Sequence, residues 1–300
     1  MSAVINPVAI AAVPNTSFPK PIGFLGQLFK HKRLGAVGGS VLLMLLVAGL
    51  LAQWVAPFDF NQVAPMQRLK SPSFAHWFGT DNLGRDVLSR CIYGAQISVI
   101  IGLCAAALAT LVSAVLGIVS GYFGGKFDML MQRFVDAWMS FPDLVILIVV
   151  VSVVGPGMPQ TIIVLGLLLG IGGSRIVRSA VISVRENMYV HAAQSIGSST
   201  PRILLRHIMP NIMSLLIVLF TTRVGTVILA ESGLAFLGLG IPPPAPTWGG
   251  MLSGSGRTFM LQAPWLALAP GLCLTAVVYS TNVFGDALRD LLDPRMRGSR

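Results

Sequence analysis

Charge is scarce in this sequence. Only 11% of its residues are Asp, Glu, Lys or Arg, less than half of the roughly 25% usual in soluble domains. With 54% of the chain hydrophobic, too few polar side chains exist to cover an apolar interior in water, and a soluble fold is excluded. Cysteine is sparse as well. Cys91, Cys104 and Cys273 form no C-x-x-C pair and no even-numbered framework, which excludes a disulfide-stapled scaffold. They are assigned no role, and Cys104 and Cys273 lie in apolar runs where a thiol acts as a small hydrophobe. His31, His76, His191 and His207 are scattered, without zinc spacing and without a serine partner suited to intramembrane proteolysis. A phosphate-binding loop is missing too: Gly121–Lys126 lacks the earlier glycine, and Phe127 replaces Ser/Thr. The 32 glycines follow no three-residue period, so a collagen-like chain is ruled out.

What is present is long apolar stretches with cations between them. The net charge of +10 is not a nucleic-acid signal, because the basic residues sit in the connections and not along one polar face. Six stretches are long enough for a crossing of about 20 helical residues: Ala36–Ala56, Ile97–Tyr122, Met129–Val154, Gln160–Ile176, Asn211–Leu237 and Leu266–Phe284. The expected fold is all-α, a polytopic membrane protein with six transmembrane helices. Residues 1–34 read as a tail plus a surface helix at Ile22–Leu34, 35–56 as the first crossing, and 57–95 as an external loop. Residues 96–286 read as a helical core, and 287–300 as a tail. With both termini on one side, that side receives fifteen Lys and Arg and the other only Arg68, Lys70, Arg85, Arg90 and Arg257. Cations stay in the cytoplasm, so both termini are placed there.

The connection Ser174–Pro210 is too long for a simple link between crossings. It carries Arg175, Arg178, Arg185, Arg202 and Arg206 against Glu186 as its one acid. Arg185–Ser195 favours a helix, Gly197 a stop, and Thr200–Pro201 a new start closed by Pro210. Two short helices at a membrane surface suggest a docking element for another protein.

The string from Tyr189 to Gly197, followed by Arg202 to Pro210, resembles the "EAA…G…I-x-P" loop of bacterial ABC importer permeases. Ala192, Ala193, Gly197, Ile208 and Pro210 agree in spacing, and His191 stands where that family usually has Glu. Phe78–Arg90, Phe236–Gly249 (with an additional Pro244) and Asn282–Pro294 resemble stretches of the dipeptide/oligopeptide/nickel branch, C-type subunit. The resemblance implies a type I importer permease fold in the bacterial inner membrane and a coupling loop over 174–210. It implies as partners a homologous second permease, two ATPase subunits that hold the ATP and Mg, and an extracytoplasmic binding protein. No cofactor and no nucleic acid is expected on this chain, which lies in a lipid bilayer and is not itself an enzyme. Di- or oligopeptides are the implied cargo. Nickel, metal chelates, opines, glutathione and antimicrobial peptides remain as alternatives within the branch, and an ion-driven secondary carrier as one outside it.

Ionisable groups within the crossings have two readings each. Glu231 and Arg223 are two turns apart on one face, and Asp143 follows a helix-disrupting Phe141-Pro142. They line a polar path for a charged substrate, or they pair between helices and sit near an interface. Similarly, Asp81, Arg85 and Asp86 are expected to form an ion-pair cluster capping the second crossing or to touch a partner. For the outside stretches Pro57–Arg90 and Ile241–Pro264 the resemblance implies a docking floor for the binding protein; the other reading is that Pro242, Pro243, Pro244, Trp248 and Trp265 stiffen and anchor an interfacial loop.

Overall fold

A computed structural model describes residues 26, 28–30 and 32–292. Most of the expected N-terminal tail and surface helix therefore lies outside the described residues. The described chain is built from helices: α1 Arg33–Leu50, α2 Val87–Phe123, α3 Gly125–Met139, α4 Asp143–Val154, α5 Met158–Arg185, α6 Met188–Ser195, α7 Thr200–Ile203, α8 Met209–Phe236 and α9 Trp265–Leu292. Five rods are long and apolar enough to cross a membrane, α7 and α8 counting as one, and α3 with α4 make a sixth only if the bent pair is taken together.

Small residues set the packing. A Cβ on Gly117 would come within 2.7 Å of the Ser174 carbonyl, and one on Gly121 within 2.9 Å of that of Arg178. Gly166 and Gly170 of α5 likewise receive Leu108 and Val112 of α2. Membrane helices gain nothing by hiding Leu from lipid, so close backbone approach and dispersion hold such pairs. Gly38 brings α1 against the Ser280 carbonyl of α9 in the same way. Ile101, Val151, Leu165, Val227, Ile228 and Val277 fill the space where α2, α4, α5, α8 and α9 meet.

Several helices outrun their apolar windows. The second begins at Val87, ten residues before the expected Ile97, because Asp86 caps it by accepting from the Ser89 amide at 2.7 Å. The fourth extends to Arg185, so Ser174–Arg185 is helix and not connection, and the irregular part shrinks to 186–187 and 196–199. The sixth runs to Leu292, taking in six residues expected in the tail. Hydrogen bonding within the helix, unlike hydropathy, does not end at the lipid boundary.

The expected third crossing, Met129–Val154, is not one straight rod. It breaks at Ser140–Pro142 into α3 and α4, bent by 83°. Proline disfavours helix at the residue before it, and the two halves differ in chemistry. Lys126, Asp128, Arg133 and Asp136 lie on α3; α4 is apolar after Asp143 but, at about 18 Å, too short to span alone.

A correction concerns Pro210. It does not close a helix ahead of α8: α7, a wide π turn at Leu204–Ile208 and α8 form one continuous rod. The Met209 amide reaches back five residues to the Leu204 carbonyl, and the widened turn accommodates the ring.

Candidate functional site

The connection between α5 and α8 is ordered by its own backbone groups. The Asn187 side-chain amide donates to the carbonyls of Ser183 and Val184 at 3.2 and 2.9 Å, finishing α5. Its main-chain carbonyl accepts from Val190 at 2.9 Å and starts α6. The helix of this connection thus begins at Met188 and not at Arg185. It ends in a Schellman turn: Gly197 (φ +77°) donates to Gln194 at 2.9 Å, and Ser198 to Ala193 at 3.0 Å.

Two faces of α6 differ. Val190 and Ala193 are buried among Val177, Val181, Ile203 and Ile208. Tyr189 and His207 place their rings 6.3 Å apart at the edge, and burial pushes the Tyr189 phenol above its ordinary pKa. On the outer face Met188 and Ile196 are 88% and 82% exposed, with Ala192 midway between them. Leu205 adds a further exposed apolar group from the π turn. The sequence reading missed Met188, Ile196 and Leu205, although the i, i+4, i+8 spacing of Met188, Ala192 and Ile196 marks one helix face. His191 reaches 4.0 Å from Glu186 at the exposed start of the element, and Arg202 and Pro210 are exposed.

The element is tied to the bundle by α5. Arg178 donates to Asp128 of α3 through Nε and Nη2 at 2.6 and 2.5 Å, while the Ser120 hydroxyl of α2 also reaches that carboxylate. One turn earlier on α5, Arg175 pairs with Asp136. These pairs fix α3 against α5: its acids face cations at one end of that helix.

Glu231, Arg223 and Asp143 are not brought together. Glu231 is 1% exposed; its Oε2 accepts from Ser232 at 3.4 Å and its Oε1 has no partner among the described residues. Arg223, 8% exposed, donates to the hydroxyls of Ser113 at 2.9 Å and Thr110 at 3.4 Å. Asp143 is exposed in the first turn of α4.

At the opposite end, Asp81 accepts from the Arg85 Nε at 2.7 Å, and Asp86 from His76 at 2.9 Å and the Ser89 hydroxyl at 2.7 Å. An internal cluster capping α2 is what the fold contains. Trp248 is fully buried and donates to the Cys91 carbonyl at 3.0 Å, and Trp265 donates to that of Thr80 at 3.2 Å. Both indole N–H groups are therefore used within the protein; the anchoring expectation is corrected for Trp248, which is sealed in the core, while Trp265 is half-buried. Among the described residues no group of His, Cys, Asp or Glu is disposed to hold a metal ion.

Residues 113–298 match the family described as binding-protein-dependent transport system inner membrane component. The chain belongs to that family. It is 39% identical over 271 residues to the dipeptide transport system permease protein of Alkalihalophilus pseudofirmus, covering 90% of this chain and 88% of the relative. It is 38% identical over 271 residues to the glutathione transport system permease proteins of Escherichia coli and Shigella sonnei, covering 90% and 89%. The chain is an all-α, multi-pass inner-membrane permease of the ABC importer type, a C-type subunit of the peptide/oligopeptide branch. The matched region spans α3 to α9 and includes the α6 element.

Proposed function

We propose that this chain works as one of two homologous permeases, driven by two ATPase subunits and supplied by an extracytoplasmic binding protein. In this reading ATP and Mg are held by the ATPases, the chain catalyses no reaction itself, and both termini face the cytoplasm. The observation that carries it is the α6 element: a short ordered helix with one face packed on α5 and α8 and an apolar ridge of Met188, Ala192 and Ile196 facing outward. A helix clamped to two membrane rods transmits displacement to them, provided that a partner grips its free face. Tyr189, His191, Ala192, Ala193 and Gly197 lie on α6 and its closing turn, and Arg202, Ile208 and Pro210 on the rod beside it, with Val190, Ala193, Ile203 and Ile208 buried toward the bundle.

Di- or oligopeptides are the proposed cargo, by kinship with the dipeptide permease. Glutathione is the second reading, by comparable kinship; it too is a peptide with free carboxylates. Arg223 and Asp143 serve the fold in this account, Arg223 as a buried knot and Asp143 at a helix start.

The test is co-purification. Ile196→Asp and Met188→Asp are expected to release the ATPases while leaving membrane insertion and unfolding temperature unchanged. Retention of the ATPases and of uptake by the double variant would count against the coupling role.

A further inference from the structure

The cations expected outside the membrane are few, and they gather. Arg85 and Arg90 line a cavity of about 540 Å³ between the Asn82–Arg90 turn and the segment 241–259. Arg68 stacks on Phe259, which also lines it, at 5.6 Å; Arg257 immediately precedes its lining residue Thr258. The segment 241–259 contains no acid. Asp81 is the carboxylate that faces both guanidiniums, and it is largely committed. Its Oδ1 accepts from the amides of Leu83 and Arg85 at 2.8 and 3.0 Å, and its Oδ2 accepts from the Arg85 Nε at 2.7 Å.

Each guanidinium carries five N–H donors. Arg85 uses Nε on Asp81; Arg90 sets Nε 3.8 Å from Asp81 and donates Nη1 to the Phe60 carbonyl at 3.1 Å. The terminal nitrogens of Arg85 and the Nη2 of Arg90 have no partner among the described residues. Both side chains are nearly buried, 12% and 10% exposed; both residues line the cavity, and their spare nitrogens are not among the sealed polar atoms. Thr247, Ser253 and Ser255 add hydroxyls to its wall; the buried Glu231 stands behind Thr247 and is not itself a lining residue.

We propose that this cavity is a carboxylate subsite, which takes the free carboxylate of a peptide cargo at the extracytoplasmic mouth of the permease. Two guanidiniums sharing one acid leave a net positive site with forked donors, the geometry that suits a planar carboxylate. The same charge repels a bare divalent cation, which sets this chain against the nickel alternative. The inference rests on the proposed transport reading, because only that reading puts a peptide at this mouth.

The experiment uses the complete permease–ATPase assembly in detergent without the binding protein, so that the latter's own selectivity does not enter. Equilibrium binding of dialanine and of its C-terminal amide is compared. Dialanine is expected to bind at least about tenfold tighter. Arg85→Gln should reduce that ratio to about unity, whereas Arg85→Lys should retain part of it. Ser253→Asp places a negative charge in the cavity without touching the Asp81 cluster and should also erase the ratio. Equal binding of acid and amide by the native assembly, or a native ratio in both Arg85→Gln and Ser253→Asp, overturns the subsite. Discrimination that persists in an assembly incapable of ATP-driven uptake after reconstitution with the binding protein would overturn the transport reading and leave the subsite standing.

Discussion

Arg178 of α5 grips Asp128 of α3 with two parallel hydrogen bonds, at 2.6 and 2.5 Å, in a position only partly open to solvent. The pair fastens α3 to the side of α5. Asp128→Asn removes the charge and weakens both bonds, at a cost of about 2 kcal/mol. Unfolding temperature in detergent should fall, and the Asp128→Asn/Arg178→Gln double variant should lose less than the sum of the singles. Strict additivity would mean that the two side chains do not act as a pair.

Gly197 permits a sharper test of the α6 element. Nothing lies within 4 Å of where its Cβ would point, so a side chain meets no obstacle; the demand is the φ of +77°. Gly197→Asn, which tolerates the left-handed region, should be nearly neutral. Gly197→Val should cost at least about 1–2 kcal/mol and loosen the turn. The expected readout is ATP hydrolysis by the assembly that continues while uptake declines, in Val far more than in Asn. Equal behaviour of the two variants would remove backbone conformation as the cause.

Much of this was legible beforehand and the rest was hidden for identifiable reasons. Hydropathy located the apolar part of every long rod, because lipid exposure and apolar composition are the same demand. It did not reveal the break after α3, nor that Asp128 and Asp136 are met by Arg178 and Arg175 of α5. Pro142 marked the bend without its size. Pro210 marked a stop that a five-residue π turn cancels. The loop motif directed attention to Ala192, Ala193 and Gly197, and so to the packed face and the turn. The exposed ridge of Met188 and Ile196 was visible as spacing but carried no residue type that chemistry singles out. Arg85 and Arg90 read as a cap, and their free donors appear only when the cavity beside them is present.

The external cap offers a prediction of its own. Gly84 has φ +78°, and a Cβ there would collide with the Ala64 carbonyl, whose residue is tied to this turn by the hydrogen bond from the Ala64 amide to the Leu83 carbonyl at 3.2 Å. Gly84→Ala should therefore separate the 64–70 strip from the Asp81 turn. Proteolysis from outside in intact vesicles should then cleave within 57–70, where the native protein resists. An unchanged cleavage pattern would show that the strip is held by other contacts.

Arg223 and Gly173 decide whether the buried cation serves the fold or the cargo. A Cβ on Gly173 would fall on the Arg223 guanidinium; the missing side chain on α5 is the space through which the arginine of α8 reaches Ser113 of α2. Ser113 passes the interaction on by donating to the Gly170 carbonyl at 2.7 Å. Gly173→Val should thus be severe, because it displaces a charge that has no carboxylate partner among the described residues. Replacing the arginine itself is different, since an apolar side chain of similar length removes the desolvation cost along with the bonds. Arg223→Met is expected to leave unfolding temperature within a few degrees of native and uptake intact, and to relieve much of the Gly173→Val defect in the double variant. If Arg223→Met instead keeps its stability but abolishes uptake, the guanidinium contributes to translocation despite its burial, and the structural assignment fails.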